Sequence, residues 1–378
     1  MSASLSRDTS HASRASRLGF FIAGFGLAVW APLVPYVRER ISMSDATFGL
    51  MLLCVGIGSL TCMPLSSGLV ARLGIRNVAL SCIALLLIAL ATLANTQSLW
   101  LLGTALFAFG ASLGVLDVVL NIQSLLLEKV TGKRLLSNFH GMFSVGTLAG
   151  ALVLTSCLSV GFTSSSAVWL MIGLIGSITW IARSGFLQEK SAKQNQRFIR
   201  PKGLVLAVGL MCFVVYLAEG AILDWSALYL THDKAMNTAH AGLGYTSFAL
   251  MVAIARFTGD SFATQLGSQR VIIIGSLVAC FGVTLSVLSP SWPLTLVGYA
   301  LCGLGCANIS PLLISSLNKQ TMLSVSDAVT AATTIGFAGV LAGPAIMGVI
   351  AHYSSLGWAF LSIAILLALL IPFSRQLP

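Results

Sequence analysis

Charged side chains are scarce in this chain: they make up 8% of its 378 residues, against about 25% in soluble domains. Hydrophobic residues make up 57%, and the mean hydropathy is +0.94. These values exclude a soluble globular protein and a disordered chain. Cysteine pairs at CxxC spacing are also lacking, and all eight cysteines fall inside apolar runs. This pattern excludes a secreted disulfide scaffold and predicts small buried hydrophobic residues without a metal site.

Catalytic and nucleotide-binding motifs are absent from the sequence as well. The chain has no GxxxxGK[ST] loop and no HExxH motif. No placement of serine, histidine and aspartate suggests a nucleophilic triad. We therefore expect neither an enzyme nor an ATP-driven pump, and we expect no cofactor, so that any work would draw on the proton gradient.

What the chain does have is a series of long apolar runs. Each extends over about 20 residues, the length that one membrane-spanning helix needs. None alternates apolar and polar residues as the strands of an outer-membrane barrel do. The sequence thus predicts an all-α polytopic membrane protein of 12 transmembrane helices, at about 18–37, 45–71, 76–95, 98–127, 138–160, 164–184, 203–230, 241–263, 270–289, 293–318, 325–350 and 355–374.

The formal net charge of +10 arises from basic residues in short loops between these runs. If the N-terminus is cytoplasmic, 18 of the 21 Lys and Arg residues lie on that side of the membrane. The positive-inside rule therefore predicts cytoplasmic termini. The same placement favours a membrane protein over a nucleic-acid-binding protein.

The longest polar stretch between runs divides the chain into two halves. We predict a disordered cytoplasmic tail at 1–17, a six-helix bundle at 18–184, a basic linker at 185–202 and a second six-helix bundle at 203–374. A shift of 193 residues places Gly110 on Gly303 and Gly146 on Gly339, and VGTLAG at 145–150 on AGVLAG at 338–343. Such an internal repeat predicts two pseudo-symmetric bundles.

The loop between the second and third runs reads SGLVARLGIR at 67–76. It is similar to the signature loop of the major facilitator superfamily: Arg72, Gly74 and Arg76 match that pattern, whereas Ala71 stands where the family has aspartate. Four further segments, FGASLGVLDVVLN (109–121), HGMFSVGTLAG (140–150), AEGAILDW (218–225) and ARFTGD (255–260), resemble the MosC/YbjJ-like bacterial inner-membrane subgroup. The resemblance implies a monomeric secondary transporter of the inner membrane and, by analogy, a sugar- or polyol-like solute.

Ionisable residues inside spans are the main candidates for a functional site, because a charge in the membrane costs at least about 2.5–3.5 kcal/mol. Asp117 and Asn121 lie one turn apart on one helix face, and Glu219 lies near the middle of the seventh run. We predict that Asp117 and Glu219 bind the substrate or carry the coupling proton, with Asn121 as a substrate ligand. The alternative is a structural hydrogen-bonded role for each.

Further candidates are less well determined by the sequence. His140 either relays protons with Asp117 or caps its helix, and Asn308 is a candidate cavity ligand. Trp30 either forms an aromatic wall of the substrate site or packs in the core. Asp224 is either an external gate or an interfacial residue.

Basic residues at the cytoplasmic helix ends are predicted to act in gating. Arg256 and Asp260 are four residues apart and can pair along one helix face. We predict that they form, with Arg72 and Arg76, an inner gate or a structural lock rather than a substrate site. No lysine or arginine is expected in mid-membrane, which disfavours anionic substrates and leaves neutral polyhydroxylated molecules or cations.

Three functions follow from the sequence. The first is a proton-coupled secondary active transporter that moves a small polar solute by alternating access. The second is a proton-driven exporter of a metabolite, siderophore or cationic drug. The third is a membrane sensor or scaffold that binds a ligand without transporting it.

Overall fold

The computed structural model of the chain describes residues 2–132, 135–189, 201–317 and 325–375. Its side chains are described from residue 9 onward, apart from 137, 257–261, 263 and 325–327. In this part of the chain, twelve helices are long and apolar enough to cross a membrane, and there is no strand. The prediction of an all-α protein with twelve membrane-spanning helices is confirmed.

The helices follow one another with short connections. They are α1 (Ser2–Ile41), α2 (Asp45–Cys62), α3 (Ser66–Leu73), α4 (Ile75–Asn95), α5 (Leu99–Thr131), α6 (Leu136–Ser159), α7 (Ser164–Ala182), α8 (Gly203–His232), α9 (Leu243–Leu266), α10 (Ser268–Leu288), α11 (Trp292–Cys306), α12 (Ile309–Ser316), α13 (Val325–Tyr353) and α14 (Leu356–Ser374).

Two of the spans are interrupted, which the sequence analysis did not predict. Between α2 and α3 the chain forms one 3-10 turn at Met63–Leu65, because Pro64 has no N–H to continue the helical ladder. Between α11 and α12 the helix opens at Ala307 and Asn308. Both interruptions fall inside runs that we predicted as single helices.

The chain forms two compact units, Met1–Ile41 with Cys54–Asn195, and Ser42–Leu53 with Gln196–Pro378. Unit 1 comprises α1, the end of α2, α3 to α7 and the first part of the predicted linker. In it α1 packs most extensively against α6. A methyl group added at Gly24 would overlap the backbone carbonyl of Phe143, so small residues set the close approach of these two helices.

Unit 2 comprises α8 to α14 together with the first two and a half turns of α2. Its largest helix pair, α8 with α13, matches the α1–α6 pair of unit 1. Within this unit, Gly49 of α2 packs against the backbone of Gly348 in α13. The boundary between the units falls in the predicted linker, but it also divides α2, which the sequence analysis assigned wholly to the first bundle.

The internal repeat is visible in the helix packing of each unit. In unit 1, a side chain at Gly110 of α5 would overlap the carbonyl oxygen of Val55 in α2. In unit 2, a side chain at Gly303 of α11 would overlap the carbonyl oxygen of Phe248 in α9. Both residues of the second pair lie 193 positions after those of the first. The glycine repeat in the sequence therefore marks the same helix–helix contact twice.

We predicted a disordered tail at 1–17, but residues 9–17 continue α1 as a helix. Ala12, Ala15 and Ser16 are buried in unit 1. The amide of Gln123, itself buried in α5, donates to the Ser16 hydroxyl at 2.9 Å and to the Ala12 carbonyl at 3.3 Å. The small Ala and Ser side chains allow this extension of α1 to pack against the unit, which composition alone did not indicate.

The first residues of the predicted linker are also held against unit 1. The Leu187 and Glu189 carbonyls accept hydrogen bonds from the backbone N–H groups of Arg76 (2.9 Å) and Ile75 (3.2 Å). These N–H groups belong to the first turn of α4 and would otherwise have no helical partner. The Gln123 side-chain oxygen accepts a third bond from the Leu187 N–H at 3.1 Å. The linker thus begins as an ordered segment that caps α4.

Candidate functional site

A chain of polar side chains crosses from α5 to α6 in unit 1. The Asn121 side-chain N–H donates to the Asp117 backbone carbonyl at 2.9 Å, and its oxygen lies 3.2 Å from Nε2 of His140. The Asn121 amide also lies beside the Asp117 carboxylate, one turn away on the same face. The structure therefore brings together three of the four residues that the sequence analysis proposed for a solute site or proton relay in this half; Trp30 is the fourth.

The geometry of this chain assigns the proton on His140. Because the Asn121 amide oxygen can only accept, Nε2 of His140 carries the hydrogen in this arrangement. Phe20 of α1 packs edge-on against the imidazole, with 4.8 Å between ring centroids. Asp117 and Asn121 are both part-buried. A carboxylate, an amide and an imidazole can bind a hydroxyl-bearing solute, and the carboxylate and the imidazole can each take up a proton.

A second polar cluster lies in unit 2 around Glu219 of α8. The Arg256 guanidinium on α9 lies within electrostatic range of the Glu219 carboxylate. Tyr216, one turn earlier on α8, and Cys306 at the end of α11 are also within this range. Glu219 is part-buried, as Asp117 is in unit 1. Among the described residues, each unit therefore holds a carboxylate inside its spans with polar neighbours: Asp117 in unit 1 and Glu219 in unit 2.

Arg256 is closer to this cluster than the sequence analysis predicted. We placed it with Asp260 at the cytoplasmic helix end and expected no cation near the candidate substrate residues. Arg256 is exposed and is the last residue of its span, and it adds one cation within electrostatic range of Glu219. Asp260 lies in α9, but its side chain lies outside the described residues, so the predicted pairing with Arg256 stays a prediction.

Asn308 lies at the interruption between α11 and α12. Its side-chain N–H donates to the Ala255 carbonyl at 3.0 Å, next to Arg256. The bond fixes the break in the span against α9 at the level of Arg256. An interrupted helix leaves backbone groups available inside the membrane, which is where transporters form binding sites.

The remaining candidates lie apart from these two clusters. Trp30 is buried in unit 1 and packs against Phe109, with 6.4 Å between ring centroids. Asp224 is 8% exposed near the other end of α8. Its neighbour Trp225 is fully buried and packs against Phe48, with 5.2 Å between ring centroids.

Arg72 and Arg76 flank the turn between α3 and α4, as the resemblance to the signature loop implies. Gly74 adopts φ +81°, a conformation that favours glycine. In the described part of the chain, neither guanidinium has a hydrogen-bond or ion-pair partner. Their role as a gate or lock stays a prediction.

Gln123 is the polar residue of the spans that the sequence analysis missed. It connects the start of α1, α5 and the linker, as described above. A signal was present, because Gln123 is an uncharged amide in an otherwise apolar run, two positions after Asn121. The candidates that we weighed were ionisable groups, Asn121, Asn308 and Trp30, and Gln123 was not among them.

The chain is similar to known proteins over nearly its full length. The family model of the Major Facilitator Superfamily matches residues 18–233 and 204–375. An uncharacterised MFS-type transporter of Yersinia pestis is 40% identical over 93% of this chain and 92% of its own length. Membrane protein MosC of Rhizobium meliloti is 30% identical over 91% of this chain and 84% of its own length, in agreement with the resemblance to the MosC-like subgroup.

A solved structure supports the same fold. A bacterial homologue of the human lysosomal transporter Spinster aligns with a TM-score of 0.75 at 13% identity, covering 97% of this chain and 96% of that one. The relatives are transporters rather than enzymes, as the sequence analysis predicted. The twelve spans, the repeated packing and these matches lead to one conclusion: the chain is a multi-pass membrane protein that belongs to the major facilitator superfamily and works as a secondary transporter of a small molecule.

Proposed function

We propose that this protein is a proton-coupled transporter that moves a small polar solute of the sugar or polyol class by alternating access. The observation that carries the proposal is the Asp117–Asn121–His140 chain in unit 1. It places a carboxylate and an imidazole on either side of one amide inside the spans. Such an array offers both hydrogen-bond donors and acceptors to hydroxyl groups.

Glu219 is the second part of the proposed mechanism. It would take up the coupling proton, and Arg256 would stabilise its ionised form. Tyr216, Cys212 and Cys306 lie within electrostatic range of Glu219 as well. Ionisation of Glu219 therefore changes the electrostatic potential at all three side chains. Protonation would release Arg256 to contact the solute. The proximity of Arg256 also admits a solute that carries a negative group, which composition had disfavoured.

The setting of the proposed transport is the bacterial inner membrane. The distribution of Lys and Arg supports cytoplasmic termini, and the MosC-like relatives support a bacterial membrane protein. We expect the protein to act as a monomer with the proton gradient as its energy source and no resident cofactor.

The solute class is tested first by thermal unfolding of the purified full-length chain against myo-inositol, hexoses, amino sugars, siderophores and lipophilic cations. A ligand at 100 times its dissociation constant stabilises the folded state by about 2.7 kcal/mol. We expect a polyol or sugar to raise the unfolding temperature, and Asp117→Asn to abolish that shift. Stabilisation by siderophores or cations alone would overturn the proposed solute class in favour of the exporter function.

A further inference from the structure

An apolar groove of about 230 Å³ lies in unit 1, away from the polar clusters. Its walls are α3 and the first half of α4, and its floor is α5. The leucines along its edges, Leu65, Leu69, Leu73 and Leu85, are each more than one-third exposed. This groove is not part of the proposed solute site, since neither Asp117 nor any residue hydrogen-bonded to it lines it.

The chemistry of the groove suits a hydrocarbon chain. Ala111 and Val115 form part of the floor, and the Ser112 hydroxyl donates to the Phe109 carbonyl of its own helix at 2.8 Å. Of the side chains that the structure describes, none that lines the groove is charged. Its volume is below the roughly 300–1,000 Å³ of sites that enclose a whole small molecule. The space therefore fits part of a longer apolar ligand whose remainder lies outside.

One end of the groove reaches the turn between α3 and α4. Leu73 and Val78 line the groove on either side of this turn, which also carries Arg72 and Arg76. Neither guanidinium has a hydrogen-bond or ion-pair partner among the described residues.

Within the part of the chain that the structure describes, no carboxylate pairs with either arginine. Ala71 stands where the family pattern has aspartate, and residues 190–200 contain no Asp or Glu. Glu189 contacts this turn through its backbone carbonyl. The apolar groove thus ends at the two positive charges of Arg72 and Arg76, on the side of the membrane where the other basic loops lie.

We propose that this groove binds an anionic glycerophospholipid, with one acyl chain between α3 and α4 and the phosphate on Arg72 and Arg76. Guanidinium groups bind phosphate through charge-assisted hydrogen bonds, and basic pockets at the cytoplasmic surface select anionic headgroups. The occupant is a lipid rather than free phosphate, because the apolar groove makes up the larger part of the site.

Native mass spectrometry of the full-length protein tests this site. The protein is released from micelles that contain equal amounts of phosphatidylglycerol and phosphatidylcholine with identical acyl chains. We expect one phosphatidylglycerol to be retained preferentially. Because each basic residue at a membrane surface contributes about 1 kcal/mol, Arg72→Gln and Arg76→Gln are each expected to lower this preference about fivefold.

Two pairs of variants separate the headgroup site from the groove. Ser81→Trp fills the groove from an exposed position on α4 and is expected to abolish retention, whereas Ile88→Trp, on the same helix outside the groove, is expected to preserve it. Arg270→Gln, after the corresponding turn at Gly267 in unit 2, is the control for the arginines.

Three results would overturn the proposal. The first is equal retention of both lipids, unaffected by Arg72→Gln and Arg76→Gln. The second is phosphatidylglycerol retention that Ser81→Trp leaves unchanged, which would place the lipid elsewhere. The third is a dimer that Ser81→Trp dissociates, which would identify a second copy of the chain as the occupant.

Discussion

His140 on α6 lies with its Nε2 3.2 Å from the side-chain oxygen of Asn121 on α5, and the same Asn121 side chain donates to the carbonyl of Asp117. One amide thus uses its donor within α5 and its acceptor to join α5 to α6 in unit 1. The contact between Asn121 and His140 holds α5 against α6. It therefore contributes to helix packing as well as to the proposed site.

The Asn121–His140 contact predicts a measurable coupling energy. Asn121→Ala and His140→Ala each remove one partner, and the double variant removes both. We expect a coupling energy of about 0.5–1 kcal/mol in the free energy of unfolding, the usual scale for hydrogen bonds between spans. Strictly additive single-variant effects, measured in mixed micelles, would contradict a direct contact.

Gln123 is predicted to hold the start of α1 and the start of the linker against α5. Gln123→Leu leaves the Ser16 hydroxyl and the Leu187 N–H without their partner, at a cost of about 1–3 kcal/mol. We expect faster hydrogen exchange at residues 9–16 and 185–189. Ser124→Ala is the control, because the Ser124 hydroxyl bonds only to Leu120 in its own helix. Unchanged exchange in Gln123→Leu would show that the anchor lies elsewhere.

The repeated glycine contact predicts equal sensitivity in both halves of the chain. Gly110→Ala and Gly303→Ala each place a methyl group on a backbone carbonyl of the neighbouring helix, and overpacking of this kind costs about 1–3 kcal/mol. Gly173→Ala, where nothing lies within contact distance, is expected to be neutral or slightly stabilising. Thermal unfolding of the three variants checks this. Tolerance of alanine at position 110 or 303 would refute the close approach.

Trp225 is predicted to act through packing rather than through its indole N–H. The indole nitrogen is buried and has no hydrogen-bond partner among the described residues, whereas the ring packs on Phe48. Trp225→Phe is therefore expected to unfold near the wild-type temperature. Trp225→Ala is expected to lose about 3–5 kcal/mol.

Trp100→Ala, at an 88% exposed position, is the control for loss of a tryptophan. Equal destabilisation by Trp225→Phe and Trp225→Ala would instead assign the stabilising effect to the indole N–H.

Much of the fold could be predicted from the sequence because it depends on local signals. Runs of apolar residues give the spans, and Gly132, with φ +67°, ends α5 only one turn later than predicted. The glycine repeat predicted the packing that Gly110 and Gly303 share. The break at Asn308 was not predicted, although Pro311, three residues later, has no N–H to bond the Ala307 carbonyl, because the whole apolar run was assigned to one helix.

The candidate site was predictable only within one helix. Asp117 and Asn121 share a face because they are four residues apart, and periodicity gives that directly. The distance between the Arg256 and Glu219 side chains depends on how α8 packs beside α9, and no spacing in the sequence encodes that packing. The same holds for Gln123, whose partners lie more than 60 positions away along the chain.

The most direct test of the account is solute-driven proton movement in proteoliposomes that hold a trapped pH-sensitive dye. With wild-type protein and a polyol that stabilises it, such as myo-inositol, we predict a pH change on solute addition. Glu219→Gln and Asp117→Asn should abolish this change, whereas Glu189→Gln, an exposed carboxylate outside the spans, should preserve it. Solute flux that keeps its proton movement and pH dependence in both Glu219→Gln and Asp117→Asn would contradict the central claim that these carboxylates couple protons to transport.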